Sequence, residues 1–113
     1  MISKLAANKM LDFILNESYV GLLKADETEI NATGYNRKRI FFKNSAEGET
    51  LNTNSIDYGI ALNDWGIVEK IGIYDSAGNL LMIKTLDYKK EIRMSDNYLI
   101  PASAIVIRFE DLR

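Results

Sequence analysis

Hydrophobic and polar positions follow two regimes along the chain. In the first sixteen residues apolar side chains recur at helical spacing. From residue 18 onward they come in short runs separated by polar, often Gly-bearing segments. The first regime predicts one α-helix over 3–16, with Ser3 as N-cap and an end near Asn16, where Asn-Glu-Ser supplies turn chemistry. At 100° per residue, Ile2, Ala6, Ala7, Met10, Leu11, Phe13 and Ile14 spread over one broad side. Asn8, Lys9, Asp12 and Asn16 gather on the other.

The second regime predicts strands. "SYVGLLK" (18–24) is a β-type run, and "ADETEINATGYN" (25–36) is a polar loop. "RKRIFFKN" (37–44) places Ile40 and Phe42 opposite Phe41 across the pleat. "TLNTNSIDYGIAL" (50–62) is extended, with Ile56, Tyr58 and Ile60 on one face. Next comes "DWGIVEKIGIYDSAGNLLMI", in which Trp65, Ile67, Ile71 and Ile73 share parity. Glu69 shares it too and breaks the apolar pattern. A bulge near Val68, or a Glu at the sheet rim, resolves the break. "DSAGN" (75–79) is a hairpin loop with Gly78 suited to positive φ, and "LLMIKTL" returns as the partner strand. "YKKEIRM" (88–94) and "AIVIRFE" (104–110) follow, and Pro101, in "SDNYLIPAS" between them, fits a strand entry or edge. About seven short strands after one helix predict a mainly β fold: an antiparallel β-sandwich over 18–110 in a single domain, 1–113. The parities predict a core of Trp65, Ile67, Ile71, Ile73, Leu81, Ile83, Ile105, Ile107 and Phe109.

Composition narrows the chemistry. Of 113 residues, 47% are hydrophobic and 27% charged, which suits one soluble core. No segment reaches the roughly 20 apolar residues of a membrane span, so no membrane insertion is expected. Lys4, Lys9 and Asp12 interrupt the N-terminal apolar positions, so a signal peptide is not expected. With the initial Met, this predicts a complete chain made in the cytoplasm. The chain has no Cys and no His, which removes thiol chemistry, thiolate metal sites and the commonest general base. Asp26, Glu27 and Glu29 offer hard-cation oxygens but lack a calcium-loop frame, and read as a solvated loop. Asp64 and Asp75 flank a strand that holds them roughly 30 Å or more apart, too far for a glycosidase pair, and read as turn residues. The cluster "RKR" (37–39) sits in a chain of net charge −2, without the broad basic footprint of a nucleic-acid binder. The expectation is therefore no catalytic residue, no metal, no cofactor and no nucleic acid. Trp65 reads as an end cap of the core. The alternative is an exposed ring that stacks on sugars or anchors an interface.

The stretch "DWGIVEKIGIYDSAGNLL" resembles the Trp-Gly…Gly-Ile-Tyr-Asp…Gly-Asn-Leu-Leu signature of small phage tail-fibre-like virion proteins, carried here by Trp65, Gly66, Gly72, Ile73, Tyr74, Asp75 and Gly78. The resemblance runs along the chain. "LAANKMLDFIL" resembles the family's opening helix, "YVGLLKAD" its first strand, "GYNRKRIFF" its Gly-Tyr-x-Arg segment, and "NTNSIDYGIALNDWG" its Asn-Thr stretch. "IPASAIVIRF" resembles its closing Pro-Ala-Gly-x strand, with Ser103 where Gly is usual. The loop 25–33 is shorter and more charged than is typical, and "LDYKKEIRMSDNY" is more charged.

The resemblance implies a non-enzymatic virion structural protein of tail-fibre or adhesion type, located in the virion, which acts by self-assembly and contact with other virion proteins. Alternatives of the same location are a carbohydrate-binding module for a host surface glycan, through Trp65 or an exposed Tyr, and a head decoration or head–tail joining protein. The helix adds an expectation about assembly. Its apolar arc is wider than one sheet contact needs, so Met10, Leu11 and Ile14 are expected to meet another copy, with Asn8, Asp12 and Asn16 in solvent. The resemblance favours a trimer.

Overall fold

A computed structural model of the chain describes residues 3–111. The helix α1 spans Lys4–Ile14; Ser3 caps it, its Oγ accepting from the Ala6 N–H at 3.1 Å. Leu15 leaves helical geometry and donates its N–H to the Leu11 carbonyl, which closes the last turn. Ala7, Leu11 and Leu15, four residues apart, point inward. Of the polar row, Asp12 and Asn16 are exposed as expected, and Asn8 is half-buried. Asn8 Oδ1 accepts from Gly48 N and Asp12 Oδ1 from Ser45 N, both at 2.8 Å, so this side clamps the loop 45–48. Ile2 lies outside the described residues.

Eight strands follow among the described residues: β1 (Ser18–Leu23), β2 (Lys38–Ile40), β3 (Glu49–Leu51), β4 (Ile56–Ile60), β5 (Gly66–Asp75), β6 (Leu80–Ile92), β7 (Asn97–Ile100) and β8 (Val106–Arg108). A short 3-10 turn, Phe109–Asp111, ends the described chain. The fold is mainly β, as expected, and every pairing is antiparallel. One sheet runs β2-β1-β5-β6, and two ribbons pair β3 with β8 and β4 with β7. Three changes take the expected seven strands to eight. The run 50–62 breaks into β3 and β4. The runs 80–86 and 88–94 join as one β6. The stretch containing "NYLI" makes β7.

The inner face of the large sheet carries Val20 and Leu22 opposite Ile73 and Ile71, with Met82 beside Ile73. These five pack with Ile40, with Leu11 and Leu15 of the helix, with Ile56, Ile100 and Ile107 from the ribbons, and with Ile105 just before β8. This is one apolar core between the sheet and the elements that cover it.

Two irregularities move the expected core by one residue. Between Ile73↔Met82 and Tyr74↔Leu80 the register takes up an extra residue, Leu81. Met82 therefore points inward, and Leu81 and Ile83 are only half-buried. A second shift, between Val68 and Lys70, falls where Glu69 broke the pattern. Before it the even positions face in. Val68 is buried and Ile67, expected in the core, is 44% exposed. Ile60 leaves the face of Ile56 and Tyr58 for the same reason. A shift between Asp57 and Ile60, with Gly59 at φ 74°, turns it outward. Phe109 is half-buried, packed on the core from the 3-10 turn rather than from a strand.

The Asn-Thr stretch finishes edges that the short strands leave open. Asn54 pairs its side-chain amide with β2, accepting from Phe41 N at 2.9 Å and donating to the Arg39 carbonyl at 3.1 Å. Buried Asn52 does the same for the turn before β8, accepting from Ile105 N at 2.9 Å and donating to the Pro101 carbonyl at 3.1 Å. Ser103, at the position where the resemblance expects Gly, holds φ 67°, a left-handed conformation that Gly adopts at less cost.

Candidate functional site

The outer face of the large sheet is built around two glycines. Gly21 of β1 lies opposite Gly72 of β5, and the space left by their missing side chains is filled from elsewhere. A Cβ on Gly21 would stand 2.6 Å from Glu29 Oε2 and 3.1 Å from the Tyr35 hydroxyl. One on Gly72 would stand 2.9 Å from the Tyr74 ring. Glu29 and Tyr35 come from the loop after β1. Arg37, just before β2, lies over the Tyr74 ring at 3.5 Å and forks onto Glu29, with Nε to Oε2 at 3.0 Å and Nη2 to Oε1 at 2.9 Å. Tyr35 donates its hydroxyl to Glu29 Oε2 at 2.6 Å and accepts from Leu22 N at 2.9 Å.

Electrostatics follow from that packing. Burial pushes the Glu29 carboxyl up, but hydrogen bonds from Arg37 and Tyr35 and the Arg37 charge hold it below the usual glutamate range. The Tyr35 phenol is pushed up, first by burial and then by the adjacent carboxylate. Glu29 therefore stays ionised and Tyr35 neutral at physiological pH. A neutral phenol beside an ionised carboxylate, each already hydrogen-bonded within the protein, is a clamp rather than an acid–base pair.

The clamp meets an aromatic group at the edge of β1, where β2 has stopped. Tyr35 stacks on Tyr58 with ring centroids 6.0 Å apart, and Trp65 meets Tyr35 edge-on at 5.5 Å. Tyr58 donates its hydroxyl to the Val20 carbonyl at 2.6 Å. Two tyrosine hydroxyls thus take the place of a neighbouring strand on β1. Trp65 is 4% exposed and joins the core, so it has no face open to a sugar.

The remaining signature residues are placed as follows. Gly66 enters β5 at φ 92°, and Ile73 is fully buried on the inner face. Asp75 closes the β5–β6 hairpin: its Oδ1 accepts from Ala77 N at 2.9 Å and Asn79 N at 2.8 Å. Gly78 takes φ 87° in that turn. Together these residues form a sheet and a hairpin rather than a surface site. In the acidic loop, Asp26 caps a turn through Thr28 N, Glu27 pairs with Lys70 at 3.2 Å, and Glu29 joins the clamp. Among the described residues, no group of three acidic side chains is placed to hold a metal ion. Of the basic cluster, Arg37 serves the clamp, and Arg39 bonds the Ser18 carbonyl at 2.8 Å and lies over Phe41 at 4.6 Å.

The expected assembly residues divide. Leu11 is fully buried (0% exposed) within its own chain and is a core residue, not an interface residue. The wheel gave the width of the apolar arc but not which part the sheet covers. Ile14 is half-buried and Met10 is exposed. The most prominent apolar side chain on the helix is Phe13, one turn from Met10 and 83% exposed.

A groove of about 490 Å³ opens between β6 and the β7–β8 region. Leu86 and Tyr88 line it from one side and Tyr98, Pro101 and Val106 from the other. The core residues Ile71 and Ile105 form its floor. Nothing in the sequence reading pointed to it.

Helix, sheet, clamp and groove make up a β-rich fold with one N-terminal helix. The sequence model of the family Podophage GP4 fiber I protein gp80 matches residues 1–108, nearly the whole chain. The chain belongs to this family of phage fibre proteins. No curated protein matches it. Among the described residues no helix is long and apolar enough to cross a membrane.

Proposed function

We propose that the chain is a non-enzymatic structural part of a phage fibre that works by self-association and contact with other virion proteins, as a homo-oligomer and by resemblance a trimer. The observation that carries the assembly reading is the exposure of Phe13 on a helix whose opposite side is already anchored in the core. Monomers seldom leave a large apolar patch in water, and Met10 beside Phe13 extends this one. The clamp supports the same reading, since its charged groups are used in holding the loop 29–37 onto the sheet. The interface is therefore Met10, Phe13 and the exposed side of Ile14, with Leu11 beneath it.

Sedimentation of wild type against Phe13→Glu plus Met10→Lys tests this. The wild type should sediment as an oligomer at tens of micromolar. The double variant should sediment as a monomer with an unchanged far-UV spectrum, because both side chains leave the core intact. A monomeric wild type would overturn self-association of the chain alone.

A further inference from the structure

We propose that the groove beside β6 receives one extended polypeptide segment of another virion protein, held by backbone hydrogen bonds to the open edge of β6. The proposal rests on the reading of the chain as a fibre structural protein. Three features of the groove select this occupant.

First, strand edges border it. β6 is the outermost strand of the four-stranded sheet, and across the gap β7 and β8 are each an outer strand of a two-stranded ribbon. An outer strand presents a row of backbone donors and acceptors that another strand satisfies in full. Second, the floor is apolar and continuous with the core through Ile71, Ile100 and Ile105. Alternate side chains of an extended segment would rest there, with the intervening ones facing solvent. Third, β6 is longer than its neighbour. It has thirteen residues against ten on β5, eight pairs join the two, and the register passes from Lys70↔Thr85 to Val68↔Lys90, so 86–89 have no paired residue on β5. Three of the residues 84–88 that line the groove fall outside the pairing in this way. Tyr88, among them, is 87% exposed.

The five residues 84–88 extend about 13 Å at roughly 3.3 Å per residue, so the occupant spans four or five residues. β7 and β8 wall the far side of the groove, so it admits a single extended strand, which describes a terminal arm or a detached loop. A second copy's β6 does not qualify, because the β5 paired to it would have to enter the same groove.

The experiment uses phage particles carrying Ala104→Trp. Ala104 lines the groove and is exposed, so an indole there fills the gap without entering the core. Incorporation of the variant into particles is measured against wild type. Amide exchange at 84–88 is also compared between the isolated chain and the assembled particle. The expectation is a fall in incorporation of about tenfold or more, in the range of a central interface contact, with wild-type sedimentation of the isolated variant. Exchange at 84–88 should be slower in wild-type particles than in the isolated chain. If Ala104→Trp fails to fold, Leu99→Arg, at another exposed lining position, takes its place. Normal incorporation together with unchanged exchange overturns the proposal. Normal incorporation with lost adsorption to host cells also overturns it, and assigns the groove to a surface glycan. Altered sedimentation of the isolated variant overturns it as well and assigns the groove to self-association, whereas failure of the Phe13 experiment alone leaves the groove result standing.

Discussion

The two faces of the large sheet are made of adjacent residues and are held by different physics. On the inner face Val20, Leu22, Ile71, Ile73 and Met82 are aliphatic and dry, stabilised by burial and close packing. On the outer face the residues between them, Gly21 and Gly72, have no side chains. Glu29, Tyr35 and Arg37 arrive from outside the strands to fill the space. The inner face tolerates no loss of volume and the outer face no gain. A strand can thus be apolar-specified on one side and vacancy-specified on the other.

The largest effect should come from the inner face. Ile73→Ala removes a fully buried side chain and leaves a cavity that the sheet cannot close, at about 2–5 kcal/mol. Against a total of about 5–15 kcal/mol, chemical denaturation should show a markedly lower midpoint. A midpoint equal to wild type would mean that the face assigned as core is not one.

The opposite change tests the opposite face. Gly21→Ala adds one methyl group where Glu29 Oε2 would lie 2.6 Å away. Glu29 is held by Arg37 and Tyr35 and yields only by breaking those bonds, so overpacking of about 1–3 kcal/mol is expected. The same substitution at an unpacked strand position would be neutral or favourable. Stabilisation by Gly21→Ala in a melting experiment would show that the clamp gives way freely.

The comparison also explains what the sequence could show. Val20-x-Leu22 and Ile71-x-Ile73 alternate, and alternation is visible in one dimension. So is the hairpin, because Asp75, Gly78 and Asn79 carry turn chemistry locally. The extra residue at Leu81 and the shift at Val68 are set by how two strands meet. One strand's pattern hinted at the second, through Glu69, but could not say that Val68 rather than Ile67 would turn inward. Leu11 was misplaced because a helical wheel has no knowledge of the sheet. The clamp was missed altogether: Glu29 read as one of several loop acids and Arg37 as one of three basic residues. The available signal was an isolated Gly inside each of two strands, which marks a close approach of something else. The β6 groove left no signal, since it exists only between elements distant in sequence.

A smaller effect sharpens the outer face. Tyr35→Phe keeps the ring stacked on Tyr58 and removes only the hydroxyl between Glu29 and Leu22 N. The expected cost is about 1 kcal/mol, with faster amide exchange at Leu22 than at Ile71 on the neighbouring strand. Equal exchange at both sites would mean that the hydroxyl does not substitute for a strand.

The smallest effect depends on pH. Glu29 is held below its ordinary range in the folded chain and returns to about 4.3 when unfolded. The unfolded state therefore binds the proton first as pH falls. The ionised carboxylate's contribution is fully present above the unfolded value and is lost as pH drops through the folded one. Glu29→Gln keeps the shape but removes the charge that Arg37 binds. At pH 6–7 the variant should be less stable by about 1 kcal/mol, a modest figure because solvent reaches and screens the pair. The other acids that stabilise the fold, such as Asp111 beside Lys84, titrate alike in both proteins and drop out of the difference. As pH falls from about 5 through the lowered folded value, the two melting curves should therefore converge. A gap that stays constant across that range would show that the outer face is held by the tyrosines and the vacancy alone, with the ion pair incidental to it.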